Sequence, residues 1–244
     1  YRASLERLME KSKVVIQPLM NRARLNPRRI IFPDGEHEKI LRTVYRLVED
    51  GICIPILIGN PERIEQKLKD LHISLNGVRI IDPSVQGQDP KLIENLWKLR
   101  QRKGITRERA RRALNDETVL GCVMLHAGMA DGLLGGISIP YSETLRPAVA
   151  VLGRDPNTKI ISGTYVMLVN GRRFFFGDCT VNIDPTAEDL AQIAINTARV
   201  AKTFGDEPRI AMLSFSDFGT HRSHPEVKKI REAIKLVRAQ EPEL

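Results

Sequence analysis

Aromatic residues make up only 5% of this 244-residue chain, with a single Trp. Few platforms are therefore available on which bases could stack. The formal charge of +8 is spread among acids rather than gathered into a stripe, so the usual signs of nucleic-acid binding are missing. A mildly basic domain that takes a polyphosphate ligand fits the same charge. No apolar run reaches 18 residues, which argues against a membrane-spanning helix. The opening YRASLERLMEKSK is charged and lacks the apolar core of a secretory leader. It also lacks an initiating Met, from which a chain cut out of something longer is expected. Cys53, Cys122 and Cys179 are far apart and form no CxxC pair. Reduced thiols in a cytoplasmic protein, buried as small hydrophobes, are expected from that usage.

Several chemistries are missing their motifs. DGLLGG does not have the G-x-G-x-x-G spacing of a dinucleotide site, so its glycines are read as a tight turn or a close backbone approach. His221 and His224 stand three apart with no further ligands at metal spacing, so no metal site is expected. Ser214, Ser216 and Ser223 lack a nucleophile elbow, and Asp217–Gly219 lacks every other part of a kinase. No internal repeat or low-complexity tract is present.

What remains is an ordinary globular composition, 42% hydrophobic and 28% charged, patterned as strands alternating with helices. A helical stretch over 1–24 is expected to break near Pro18. RRIIFPDG (28–35) reads as a buried strand ending in a turn, and EHEKILRTVYRLVEDG as a helix stopped by Gly51. IPILIG and GVRIID are the next strands, with Asn60 capping a helix that has Pro61 at its first position. Helices follow over 89–104, from Thr106, and over 118–126, then the DGLLGG strand and the SETLRPAVAVLG helix. Asn170-Gly171 marks a hairpin. Thr186 with Asp189 approximates a capping box. RIAMLSFS (209–216) reads as a buried strand, and a last helix starts near Pro225. This alternation argues for parallel βαβ units, with ligands beyond the C-terminal strand ends. Three such ends, PDGEHE, GGISIPYSE and SFSDFGTHRSH, are rich in Gly, Ser or charge.

The segment from Lys98 to Pro147 is the most informative. Arg100 and Arg146 flank a glycine-rich strand end, and two planar guanidiniums converging there would grip phosphate or carboxylate. The alternative is a pair of solvated surface arginines.

LRQRKGIT, MADGLLGG, SETLRPA, DCTVNIDPTAEDLA and AMLSFSDFG, in this order, resemble the phosphotransacetylases and their relatives from Arg28 onward. The resemblance implies an α/β fold of two lobes, with largely parallel sheets flanked by helices, similar to the isocitrate and isopropylmalate dehydrogenases and usually dimeric. The implied division is a linker helix over 1–27, a first lobe over 28–158 and a second over 159–244. It also implies phosphate-bearing ligands at Arg100 and Arg146, with Thr144 beside them, and places Ser162 and Tyr165 at the cleft. The family's catalytic Ser-Arg pair and Asp lie beyond Leu244, so no catalytic residue is expected here, the fold should lack its closing part, and apolar surface of the first lobe should be left uncovered unless a partner covers it.

The opening segment, PILIGNPERIE and SFSDFG look more specifically like the phosphotransacetylase-like domain of hybrid bacterial malic enzymes, although TLRPA is closer to stand-alone transferases. On this resemblance the expected function is regulatory and oligomerising. The domain would sense acetyl-CoA allosterically for an upstream malic-enzyme domain that carries NADP and a divalent metal, with no cofactor in this segment. The alternatives are a phosphate acetyltransferase and a purely structural oligomerisation domain. The expected partners are a CoA ester, phosphate and further copies of the chain.

Overall fold

A computed structural model describes residues 15–217 and 220–244. By its contacts the described chain divides into two compact units, one of Met20–Gly153 and one of 154–244 with 15–19. The residues expected as a linker helix lie outside the described residues over 1–14. Helix α1 covers 15–25 and runs through Pro18 without the expected break.

The Met20–Gly153 unit is an α/β structure with a parallel sheet flanked by helices. Its strands are β1 (Arg28–Phe32), β2 (Cys53–Ile58), β3 (Arg79–Ile81) and the two-residue β4 (Gly132–Leu133). They lie in the order β3-β2-β1-β4, all parallel. A parallel sheet is covered on both faces, so consecutive strand residues must serve opposite cores. Ile31, Ile56, Ile58 and Ile81 enter one cluster. Phe32 and Leu57, with Ile30 and Ile80 packed alongside, enter the other. The first cluster is closed by α5 (Pro90–Arg100), α6 (Arg107–Ala113), α7 (Glu117–His126) and α8 (Tyr141–Val151), through Leu96, Leu114, Met124 and Val151 among others. The second is closed by α2 (Glu38–Glu49) and α3 (Pro61–Asp70), through Leu41, Val44 and Ile64. A single turn, α4 (Pro83–Gln86), precedes α5.

Polar residues fix where these helices begin. The side chains of His37, Asn60, Asp82, Asp89, Thr106 and Asp116 each accept a backbone N–H at the start of α2 through α7. Pro stands in the first turn of α3, α4 and α5, where its missing N–H costs nothing. The short 3₁₀ turn Gln101–Lys103 ends at Gly104, whose φ of 83° is in the left-handed region.

The second unit contains the hairpin β5 (Thr164–Val169) and β6 (Arg172–Gly177), α9 (Ala187–Thr203) and α10 (Pro225–Gln240). Asn170 and Gly171, with φ of 52° and 76°, make the two-residue turn expected of that dipeptide. Thr186 and Asp189 cap α9 reciprocally in a true capping box. One apolar cluster here has Ala191, Ala194 and Val237 buried with Met212, Leu236 and Leu244 against them, and Ile193, Ile195, Val227 and Ala233 are buried as well.

The expected strand over 209–216 does not form. Residues 209–214 have no regular structure, Leu213 is 85% exposed and Phe215 61%. A strand needs a ladder partner, and among the described residues β5 and β6 pair only with each other. Tyr165, Met167, Val169, Phe174 and Phe176 on that hairpin are exposed as well. Apolar side chains are exposed on the first unit too, among them Ile54, Val85 and Leu134.

Gly35 sets the tightest approach in the first unit. A Cβ there would lie 2.4 Å from the Ile58 carbonyl oxygen and 3.0 Å from its nitrogen, both backbone atoms of β2. Gly35→Ala is expected to lower the unfolding free energy by about 1–3 kcal/mol, the usual cost of overpacking, read as a fall in the urea midpoint with unchanged slope.

Candidate functional site

The sheet order places a reversal at β1. The chain leaves β1 for α2, whose Ile40, Leu41 and Val44 cover one face, and leaves β4 for α8, whose Val151 covers the other. The crevice between the C-terminal ends of β1 and β4 is therefore a topological switch point, the place where such sheets bind ligands. Asp34, just after β1, bridges it. One carboxylate oxygen accepts the N–H of Gly136 at 3.1 Å and of Ile137 at 3.4 Å, and the other accepts that of Ser138 at 3.2 Å. The glycines allow this. A Cβ on Gly135 would meet Pro33 Cγ at 2.8 Å, and Gly136 has φ of 98°. Close backbone approach, and not a dinucleotide fingerprint, accounts for DGLLGG.

Thr144 and Arg146 project from α8, which follows this loop. Thr144 Oγ1 is buried with no hydrogen-bond partner, 3.4 Å from where a Cβ on Gly136 would stand. Arg146 is exposed and has no ion-pair partner among the described residues. Arg100 ends α5, a helix in contact with α8. Among the described residues three arginines are half-buried: Arg29, Arg100 and Arg173. Arg29 is paired with Asp131 at 2.8 Å and Arg173 with Asp206 at 2.7 Å. Arg100 has no such partner among the described residues, although a partly desolvated cation without an anion is costly. The neighbouring Arg107 shows the structural alternative. It stacks 3.7 Å from the Trp97 ring centroid and pairs with Glu94 at 3.0 Å, its hydrogen bond holding the Glu94 carboxyl below its ordinary pKa.

Beyond Asp34, the charged residues that follow β1 are occupied by the fold itself. Glu36 accepts the N–H of Asn60 at 2.9 Å and His37 caps α2. The loop SFSDFGTHRSH follows no strand. Among its described residues Ser214 and Ser216 accept local N–H groups, and His224 caps α10. No group of three or more metal-binding side chains occurs among the described residues. The expectation of buried cysteines holds for Cys122, partly for Cys53 and not for Cys179, which is exposed. Burial, with a smaller contribution from Asp116, pushes the Cys122 thiol up to about 11.

Ser162 and Tyr165 belong to the other unit. Ser162 is half-buried and its Oγ accepts from Asn196 Nδ2 at 3.4 Å, while Tyr165 is exposed on β5. Their neighbourhood is organised by Asp178, which the sequence reading did not single out. Its carboxylate accepts the N–H groups of Gly163, Thr180, Val181 and Asn182 and the Asn182 amide. Asn182 in turn donates to the Ile161 carbonyl at 2.9 Å. Burial alone would raise the pKa of Asp178, but the donors from Thr180, Asn182 and Val181 outweigh it and the net shift is downward. The same unit has a recess of about 440 Å³ lined by Lys159, Gln192, Arg199 and Glu241 among others. Its Arg199 is already paired with Glu241 at 3.8 Å.

The sequence profile of the phosphate acetyl/butaryl transferase family matches residues 14–244. The phosphate acetyltransferase of Bacillus subtilis (strain 168) is 39% identical over 88% of this chain, which covers 66% of that relative. That of Nitratidesulfovibrio vulgaris is 36% identical over 93% of this chain, which covers 32% of the relative. The chain thus spans two thirds or less of the length of these curated relatives. The crystal structure of a phosphotransacetylase from Streptococcus pyogenes superposes with a TM-score of 0.88, at 34% identity, over 95% of this chain and 70% of that one. These findings overturn the expected regulatory domain of a malic enzyme. The relatives are named phosphate acetyltransferases, the structural neighbour is a phosphotransacetylase, and nothing in them points to malate oxidation, NADP or an allosteric role. The acetyltransferase alternative fits better. Among the described residues no helix is long and apolar enough to cross a membrane.

Two outcomes test the local chemistry. Asp178 has a folded pKa below its unfolded value of about 3.9, so its contribution is present above about pH 4 and is lost as pH falls through the folded pKa. Asp178→Asn should therefore make urea midpoints less pH-dependent in the acid range, and should cost about 1–3 kcal/mol at pH 7. In a thiol titration of the native protein, Cys179 should react first and Cys122 only on unfolding.

Proposed function

The chain belongs to the phosphate acetyl/butaryl transferase family, and from that premise we propose that it carries the anion clamp of an acyl transfer between coenzyme A and phosphate. In that reaction a phosphate oxygen attacks the thioester carbonyl of acetyl-CoA. The tetrahedral oxyanion collapses, the C–S bond breaks, and acetyl phosphate and the CoA thiol are left. The chemistry asks for cations on the phosphate and donors toward the developing oxyanion.

Arg100 supports this reading most strongly, as the half-buried arginine that lacks a carboxylate where Arg29 and Arg173 each have one. A phosphate group would supply the missing charge. Arg146 is the second cation, reaching from α8, and Thr144 Oγ1 is a donor that its own fold leaves unmatched. Thr144 and Arg146 stand on the helix that follows the switch-point loop. Ser162 and Tyr165 are given no role. The ligands proposed are a CoA ester and inorganic phosphate.

The test is phosphate-dependent loss of the acetyl-CoA thioester in the protein as encoded, with acetyl-CoA binding measured in the same sample. Arg100→Ala and Arg146→Ala should each lower kcat/KM about 10- to 100-fold, the worth of one charge-assisted hydrogen bond, with little change in the unfolding midpoint. Absence of thioester loss in the wild-type protein, or unchanged kinetics in both variants, would overturn the proposal.

A further inference from the structure

Among the helices α2 to α10, α8 alone has no side-chain cap at its start. Pro140 holds the capping position and makes no side-chain hydrogen bond. The same helix contains Pro147, directly after Arg146. Pro147 has no N–H to offer the carbonyl four residues back. The first turn keeps its backbone bonds, with the N–H groups of Glu143 and Thr144 donating to the Pro140 carbonyl, but gets no side-chain cap. It gets support from outside. Ser138, two residues before Pro140, and Gly136 and Ile137 before it all donate to Asp34.

Asp34 is itself held firmly. The Gly35 N–H donates to the Ile58 carbonyl at 3.1 Å, and Pro33 and Gly35 are buried on either side of it. Both carboxylate oxygens are engaged with backbone donors, so the group is arranged as an anchor and not as a base aimed at a ligand. A carboxylate that accepts several backbone N–H groups fixes the loop that leads into α8, from a position just after β1 and more than a hundred residues earlier in the chain.

We propose that Asp34 is a positioning residue for the anion clamp, fixing the 136–138 backbone and through it Thr144 and Arg146. This rests on the reading of Thr144 and Arg146 as ligand contacts. Asp34→Ala removes all three acceptor contacts, and Asp34→Asn keeps one acceptor oxygen as the milder variant.

The experiment is a double-mutant cycle in the protein as encoded, using Asp34→Ala, Asp34→Asn, Arg146→Ala and the two double variants. It reads kcat and KM for inorganic phosphate with acetyl-CoA, together with amide hydrogen exchange over 134–146. Asp34→Ala should speed exchange in that segment and lower kcat/KM for phosphate roughly tenfold, with Asp34→Asn in between. In the Arg146→Ala background the same change should cost about twofold or less, because the residue through which Asp34 acts is already gone. A merely structural role predicts equal losses in both backgrounds. Equal losses, or unchanged exchange over 134–146, would overturn the proposal. If Asp34→Ala fails to fold, Asp34→Asn decides by the same criteria. A wild-type protein that neither binds acetyl-CoA nor consumes it overturns the clamp reading and Asp34's role with it. An active wild type with an unaltered Asp34→Ala cycle overturns the role of Asp34 alone.

Discussion

The candidate site depends on a sheet that is dry on both faces. Ile31, Ile56 and Ile58 enter one core while Phe32 and Leu57 enter the other, so no strand residue at those positions is free to do chemistry. Polar function is displaced to the strand ends, and the order β3-β2-β1-β4 leaves one end where neighbouring loops depart to opposite faces. The burial that holds the unit together thereby also chooses where a ligand can be met.

Charged groups outside the sheet are not equally available. Most of the charged groups after β1 are spent on the fold, with Glu36 on the Asn60 N–H and His37 on the start of α2. In the stretch from Arg100 to Arg107, Arg107 is stacked on Trp97 and paired with Glu94, while Arg100 remains unmatched. A structural arginine has its anion within the fold, and a candidate ligand contact does not. Arg199, in the recess of the second unit, already faces Glu241.

Local signals were readable from the sequence. Asn60-Pro61, Thr106, Thr186 with Asp189, and Asn170-Gly171 each define a cap or turn within four residues, and each forms as expected. The strands β1 and β2 declared themselves by apolar runs flanked by turn residues. RIAMLSFS carried the same signal and failed, because a strand is defined by a neighbour that its own residues do not encode. The interactions of Asp34 and Asp178 were missed for a related reason. Asp34 meets Gly136 across 102 residues, and Asp178 draws Gly163 together with its own following loop. No periodicity marks such partners. Arg100 and Arg146 were singled out from residue type and flanking glycines, but the distinction between a paired and an unpaired guanidinium needed the fold.

The pairing of β1 with β4 also bears on how the molecule comes into being. β1 finds β2 across about 25 residues, but it finds β4 only across about a hundred. Loop closure over a fourfold longer stretch costs about 1.2 kcal/mol more in chain entropy, and the returning strand contributes two residues of ladder. During synthesis the first three strands can assemble long before Gly132 exists. The crevice is absent from any such early intermediate, since one of its walls has yet to be made. Its formation requires that the chain has returned from α7 to lay β4 beside β1.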